Sequence, residues 1–558
     1  MRRRTFLQGV AGTAAGLALA GCTADRVTTA PARRLVVAHG ATTLSGTVEA
    51  AAVDVAAGAV LELDPDASTT LTVTGNVVVE GLLRMRPRRP DVVHTLRFRD
   101  VDESRFVGGG GYPVATDVGL WVVGAGALDL AGTSRAGWNR TGRDPSWRAG
   151  DLLLRAPQDR GDFATYRTHT PGVPVPAVEG PDGSRHPTEV FDLTRNVVVE
   201  GAPGARAHVF VSSTSPQRVR HVLFRWLGPR RRVAQDAFHH AGVTPGRLGA
   251  STEAEYPPGY FSAASAAASE PVLGRYPLHF HHCGEGSRGT LVEGCVVRDS
   301  SRAFVPHGSH GITLRDCVAF RIRDDAYWWD ERHPTDDLLW EHCAAFDVRH
   351  DPVGSGSPAG FLLGLGRGTT IRDCVAVGVH GGTGAAGFAW PAFASDRPDN
   401  RWVARDLVAH NCAGDGLYVW QDDNRPHRVD DVVGYRNGGS GLVHGAHRNG
   451  YRYAGVVLFD NAYADLYHLA LNRDDAAGEG QRWTGLWAPH LLLGAHGQDA
   501  RRPVRFLDAH VERLTVDETG QGAGAYELHA DLAPSAVTVL QQRSRIELVG
   551  PDGSAGTV

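Results

Sequence analysis

The chain has 558 residues and a formal net charge of −5, from 57 basic and 62 acidic side chains, and every basic residue is arginine. Such a length holds a large core, the mildly acidic balance excludes a polybasic nucleic-acid surface, and the missing lysine excludes Schiff-base chemistry and a lysine general base. High glycine (69) and proline (31) against two methionines fit many short strands joined by turns rather than helices.

The N-terminus reads as a targeting segment. Arg3-Arg4-Thr5-Phe6-Leu7 looks like a twin-arginine motif, a small-residue apolar stretch runs from Val10 to Ala20, and Leu19-Ala20-Gly21-Cys22 resembles a lipobox. Residues 1–22 are expected to be a lipoprotein signal peptide for twin-arginine export, with Cys22 lipidated, and residues 23–34 a polar tether. No other apolar run reaches the ~18 residues a spanning helix needs. The body is therefore expected at the cell surface, outside the cytoplasmic membrane, held by Cys22 alone.

From Leu35 to about residue 155 the sequence reads as an N-terminal β domain that packs on or caps the rest of the chain. Its runs include Ala59-Val-Leu-Glu-Leu63, Asn76-Val-Val-Val-Glu80 and Leu120-Trp-Val-Val123, separated by glycine and aspartate turns. Thr168 to Pro187 is a Pro/Gly-rich excursion, and residues 229–272 are a longer insertion.

An internal repeat dominates residues 156–480. Thr290-Leu-Val-Glu-Gly-Cys-Val-Val297, Thr313-Leu-Arg-Asp-Cys-Val-Ala319, Leu338-Leu-Trp-Glu-His-Cys-Ala-Ala345 and Thr370-Ile-Arg-Asp-Cys-Val-Ala376 are copies of one strand–turn–strand, with cysteines at 295, 317, 343 and 374. A short coil with insertions at its turns implies an all-β fold, a right-handed parallel β-helix, with residues 481–558 forming further β coils or a cap. The repeat cysteines, with Cys283 and Cys412, read as compact buried fillers rather than disulfide partners.

A polar column emerges when the strands after each cysteine strand are overlaid. His279 and His281 in Leu278-His-Phe-His-His282 share a face of an extended strand. His281, His307 in Phe304-Val-Pro-His-Gly308 and Asp330 in Tyr327-Trp-Trp-Asp-Glu331 take equivalent places on consecutive coils. Arg275, Arg302 and Asp325 begin these strands, and His310 and His333 fall just past their ends. Two histidines and an aspartate are an ordinary divalent-metal set, so His281, His307 and Asp330 are candidate ligands. Equally, His279, His281, His307, His310, Asp325 and Asp330 could serve as acids and bases on a sugar or uronic acid, or the column could be a structural ladder. Arg275 and Arg302 suit substrate carboxylates, and Tyr327, Trp328 and Trp420 suit stacking on sugar faces. No P-loop, Cys-x-x-Cys or nucleophile elbow occurs, and no nucleotide, flavin or haem is expected.

Three segments carry a resemblance. Glu189-Val-Phe-Asp-Leu-Thr-Arg-Asn-Val-Val-Val-Glu-Gly201, Gly274-Arg-Tyr-Pro-Leu-His-Phe-His281 and Asp299-Ser-Ser-Arg-Ala-Phe-Val-Pro-His-Gly-Ser-His-Gly311 resemble successive signatures of the cell-migration-inducing and transmembrane hyaluronidase family. Gly119-Leu-Trp-Val-Val-Gly124 and Trp147-Arg-Ala-Gly-Asp151 resemble the glycine-patterned β domain that precedes the β-helix there. The likeness covers roughly residues 35–350; the insertion and the C-terminal half depart from it. It implies an extracellular protein that cleaves hyaluronan with a divalent cation such as calcium. The expected function is thus degradation of an acidic, uronic-acid-containing polysaccharide by a monomer. The alternatives are a polysaccharide lyase on a pectin- or alginate-like polymer, and a glycan-binding or adhesive β-helix without catalysis.

Overall fold

The computed structural model describes residues 33–232, 269–329, 334–349, 358–381, 384–390, 401–420, 427–445, 451–470, 481–495, 503–518 and 525–558. The signal segment with Arg3, Arg4 and Cys22, most of the 229–272 insertion, Asp330 and His333 lie outside them. At the base of the insertion, Arg230–Arg232 pairs antiparallel with Ser269–Pro271.

The chain winds as a right-handed parallel β-helix. One face is a ladder from Leu35–Val37 to Val537–Gln541, pairing successive coils in parallel. Two further ladders close each coil, and from Thr369–His380 onward they fuse into single long strands that continue both registers. The N-terminal strands belong to the same solenoid. Val53 pairs with Val77, Val77 with Leu120 and Leu120 with Val209. Residues 35–131 are thus the first rungs rather than a separate domain that caps the helix. Each coil leaves half its side chains facing inward with nothing of its own to cover them, and stacking supplies the cover.

The corner between two of the faces explains the repeat. The residue before each repeat cysteine has a left-handed backbone: Gly294 (φ 60°), Asp316 (φ 52°), His342 (φ 50°) and Asp373 (φ 49°), followed by Asp406 (φ 55°) and Asp431 (φ 54°) on later coils. Glycine adopts this conformation freely and Asp tolerates it better than most residues. Asp406→Val is expected to cost about 1–2 kcal/mol at this position and Asp406→Gly much less, a difference to be read from paired denaturation midpoints.

Behind the corner, Cys295, Cys317, Cys343 and Cys374 are fully buried free thiols. Beside them Phe304, Tyr327, Phe361 and Phe388 stack coil on coil, with ring centroids 4.9, 4.3 and 4.9 Å apart. Tyr327, expected to hold sugar, is therefore an interior residue. Its register partner Phe304 faces the core, and its hydroxyl donates to the Cys317 carbonyl at 2.8 Å.

The segment from Trp138 to Asp192 packs on the outside of the coils. Trp138–Asn139, Leu153–Arg155, Arg167–Thr168 and Val190–Asp192 form a small antiparallel sheet. Asn411 donates to the carbonyls of Asp159 and Asp162, both at 2.7 Å. The buried Glu189 accepts from Arg140 at 2.9 Å and from His410 at 3.0 Å. Burial alone would raise the Glu189 carboxyl, but His410 and Arg140 more than offset it and hold it at about 2, against an ordinary 4.5. A depressed carboxylate stabilises the fold above its ordinary value, and that contribution is lost as pH falls from 4.5 toward 2. Hydrogen exchange in this sheet is expected to quicken across that window, and Glu189→Gln to flatten the dependence.

Candidate metal and catalytic site

In the strand Leu278–Gly284, Leu278 and Phe280 join the core, which turns His279 and His281 outward. The next coil supplies His307 directly beside His281, in parallel register. His279, His281 and His307 bring ligand nitrogens all within 4.8 Å of one another. The rings of His281 and His307 lie 4.9 Å apart at 78°, and those of His279 and His307 lie 5.8 Å apart and nearly parallel.

His279 is buried, and its Nδ1–H donates to the Gly274 carbonyl at 2.9 Å. That bond fixes the tautomer, leaving a bare lone pair on Nε2, which is buried without a hydrogen-bond partner. Burial, then the neighbouring His281 and His307, push the His279 imidazole well below its usual range. It is neutral at any ordinary pH, as a metal ligand must be. A backbone carbonyl on one nitrogen and a bare second nitrogen is the usual arrangement of a metal-binding imidazole. Three imidazole nitrogens suit a transition ion such as zinc. Calcium takes oxygen ligands, so the donor set differs from the calcium implied by the resemblance.

At His281 the strand bulges, with a register shift between His281 and Gly284, and His282 is left-handed at φ 49°. Such bulges re-aim side chains beside active sites. Here the bulge sets the exposed His282 ring 4.5 Å from His281 and 4.3 Å from His307.

Arg275 does not face a substrate. Its guanidinium is buried, ion-paired to Asp117 at 2.7 Å, and lies over the Trp121 ring at 4.6 Å. It also donates to the carbonyls of Gly109 at 2.6 Å and Gly110 at 3.4 Å. Asp117 accepts the amides of Val107 and Gly108 at 2.7 and 3.0 Å. The pair thus holds a glycine loop whose Gly111 reaches the His281 ring: a β-carbon there would sit 4.0 Å from it.

Arg302 lies nearer the surface. Its guanidinium covers the Trp328 ring at 4.0 Å and donates to the Tyr276 hydroxyl at 3.3 Å, and the Tyr276 ring lies 5.0 Å from His279. Asp325 is fully buried and accepts the Ala359 amide at 2.9 Å. Burial raises its carboxyl to about 7 against the pull of Arg302. Asp324 is likewise buried, 3.6 Å from Arg230 and 3.9 Å from Arg302. His310 sits at a turn outside the triad, its Nδ1 accepting the Asp336 amide at 3.1 Å. Trp420 stacks with Tyr418 at 5.8 Å on a later coil of the same face.

The third nitrogen of the described cluster therefore comes from His279, and Asp330 lies outside the described residues. Same-face geometry at i and i+2 already points to His279. Tyr276 and His282 carry no such signal: one is an ordinary aromatic in sequence, and the other depends on a bulge.

Residues 267–332, which hold the triad, match a family model described as the CEMIP beta-helix. Among curated proteins, one G8 domain-containing protein of Dictyostelium discoideum is 23% identical over 225 residues, 40% of this chain and 16% of that protein. A second from the same organism is 29% identical over 89 residues, 16% of this chain and 6% of that protein. Mouse fibrocystin-L is 27% identical over 116 residues, 20% of this chain and 3% of its own length. The chain thus spans at most 16% of any of these relatives. Among solved structures, an exopolygalacturonase from Thermotoga maritima aligns with 92% of this chain and 86% of its own, at 11% identity and a TM-score of 0.27.

Proposed function

We propose that this protein is an extracellular enzyme that cleaves a uronic-acid-containing polysaccharide by β-elimination at the histidine triad, closer to a lyase on pectin- or alginate-like polymers than to a hyaluronan hydrolase. The observation that carries the reading is the cluster His279, His281 and His307 beside an exposed imidazole and a surface-proximal arginine. Hydrolysis with inversion or retention needs two carboxyl groups flanking the glycosidic bond. Asp117, Asp324 and Asp325, three carboxyls packed close to this face, are all buried.

His279, His281 and His307 would hold a divalent ion, which when bound would supply a Lewis acid for a uronate carboxylate and so make the neighbouring carbon-bound proton easier to remove. Arg302 pairs a carboxylate of the polymer, with Trp328 supporting its guanidinium from behind. His282 takes the proton, the electron pair forms a double bond in the sugar as the bond to the glycosidic oxygen breaks, and that departing oxygen takes a proton from water. Arg275, with Asp117, holds the glycine loop that lies against His281 and is a positioning residue.

The test is incubation of the full chain with polygalacturonate, alginate, chondroitin and hyaluronan in the presence of zinc, manganese or calcium. Elimination yields an unsaturated, ultraviolet-absorbing product, as expected here. Shortened chains without that absorbance would instead support the hyaluronidase-like reading. Saturable binding with unchanged polymer length would support the non-catalytic one.

The export reading is part of the same proposal. Cys22→Ala is expected to release the protein to the soluble fraction or to strand it as the longer, uncleaved precursor, because lipidation at that cysteine precedes removal of the apolar segment. Equal membrane retention of the Cys22→Ala protein at mature length in cell fractionation would sink the lipid anchor.

A further inference from the structure

Far along the solenoid from the triad, three separate parts of the chain converge on a groove of about 840 Å³. Its floor is the outer side of the strands Arg482–Trp487, Val504–His510 and Ala525–Ala530, which pair in parallel so that Trp487 lies beside His510. One wall is Asp182, in the turn of the hairpin Ala177–Glu179/Arg185–Pro187, and the other is the terminal turn at Gly550–Gly553. This volume is in the range of small-ligand clefts.

Two features state what the groove would take. The half-buried Trp487 indole stacks on the exposed His510 imidazole, 3.8 Å between centroids and 20° between planes. Stacking on each other holds the two rings side by side before any ligand arrives, which lowers the ordering cost of binding. The charged lining is acidic: Asp182, Asp508 and Asp531 border the groove, and no arginine lines it among the described residues. Burial raises the Asp182 carboxyl, but the Ser184 hydroxyl and amide together more than offset it and keep it below the usual range. These carboxylates repel a uronate and accept hydrogen bonds from hydroxyl groups, while the rings stack on the apolar face of a pyranose.

We propose that this groove is a second saccharide-binding site, specific for an uncharged, hydroxyl-rich sugar and distinct in charge preference from the triad face. It rests on the groove and its platform alone, so it stands whether or not the triad cleaves a polymer.

Titration calorimetry on the full chain tests it, with neutral gluco-, galacto- and manno-oligosaccharides against oligogalacturonate of equal length. At least one neutral series is expected to bind saturably while oligogalacturonate does not compete. His510→Ala, at an exposed ring, and Trp487→Ala should each weaken that binding at least about tenfold. Circular dichroism and melting of each variant separate loss of the platform from loss of fold. The proposal is overturned if no neutral oligosaccharide binds, if binding survives both substitutions, or if oligogalacturonate displaces the neutral sugar.

Discussion

His307→Ala is expected to reduce polymer cleavage by at least about 100-fold while leaving the solenoid folded. Residues that merely orient a metal ligand are worth about 10–100-fold, and His307 is placed as a ligand itself, within 4.8 Å of the nitrogens of His279 and His281. It stands on the outer side of its strand, whose inward residue Phe304 carries the packing, so truncation opens little interior space. The same substitution should empty the site of metal in elemental analysis of the purified protein, a readout independent of turnover. His307→Ala protein with full metal content and full activity would end the assignment of the triad.

Acid should act like the substitution. Imidazoles bind metal only when neutral, so metal content is expected to fall below about pH 6 and to return on neutralisation. His279 resists this longest, because burial and its two neighbours keep it neutral well below its usual range. Metal content unchanged on acidification would point to ligands other than imidazoles.

The legible and illegible parts of this structure divide along a physical line. The coil repeat is legible because its corner demands a left-handed residue, and Gly294, Asp316, His342 and Asp373 mark that demand before each cysteine. The side-by-side placement of His281 and His307 is legible because in-register parallel pairing puts equivalent positions of successive coils beside one another. Tyr327 faces inward, against the expectation of a sugar contact, although the same register aligns it with Phe304 and alternation along the strand turns both to the core. The role of Arg275 is not legible. Its partner Asp117 is 158 residues away, and no local pattern announces a long-range ion pair. The bulge that turns His282 toward the site is hidden for a similar reason: a local shift of register leaves no compositional trace.

Arg275→Ala is expected to destabilise the region around the triad by about 3–5 kcal/mol, the usual effect of removing one partner of a buried ion pair. The guanidinium is 1% exposed and Asp117 0%, so neither charge can turn to water when the other is lost. Burial alone would raise the Asp117 carboxyl, yet the Val107 amide and Arg275 bring it below its usual range. Removing Arg275 strands that carboxylate and also releases the carbonyls of Gly109 and Gly110. The loop beside His281 should then exchange its amide hydrogens faster, while the distant C-terminal coils do not change, because a solenoid transmits stability mainly between neighbouring coils. Replacing both partners by apolar residues, as Arg275→Met with Asp117→Leu, should recover much of the stability but not the loop, since no donors remain for the two glycine carbonyls. If activity returns together with stability in that double variant, Arg275 does not act by positioning the loop. If stability returns and activity does not, the loop held by Arg275 and Asp117 is a working part of the site.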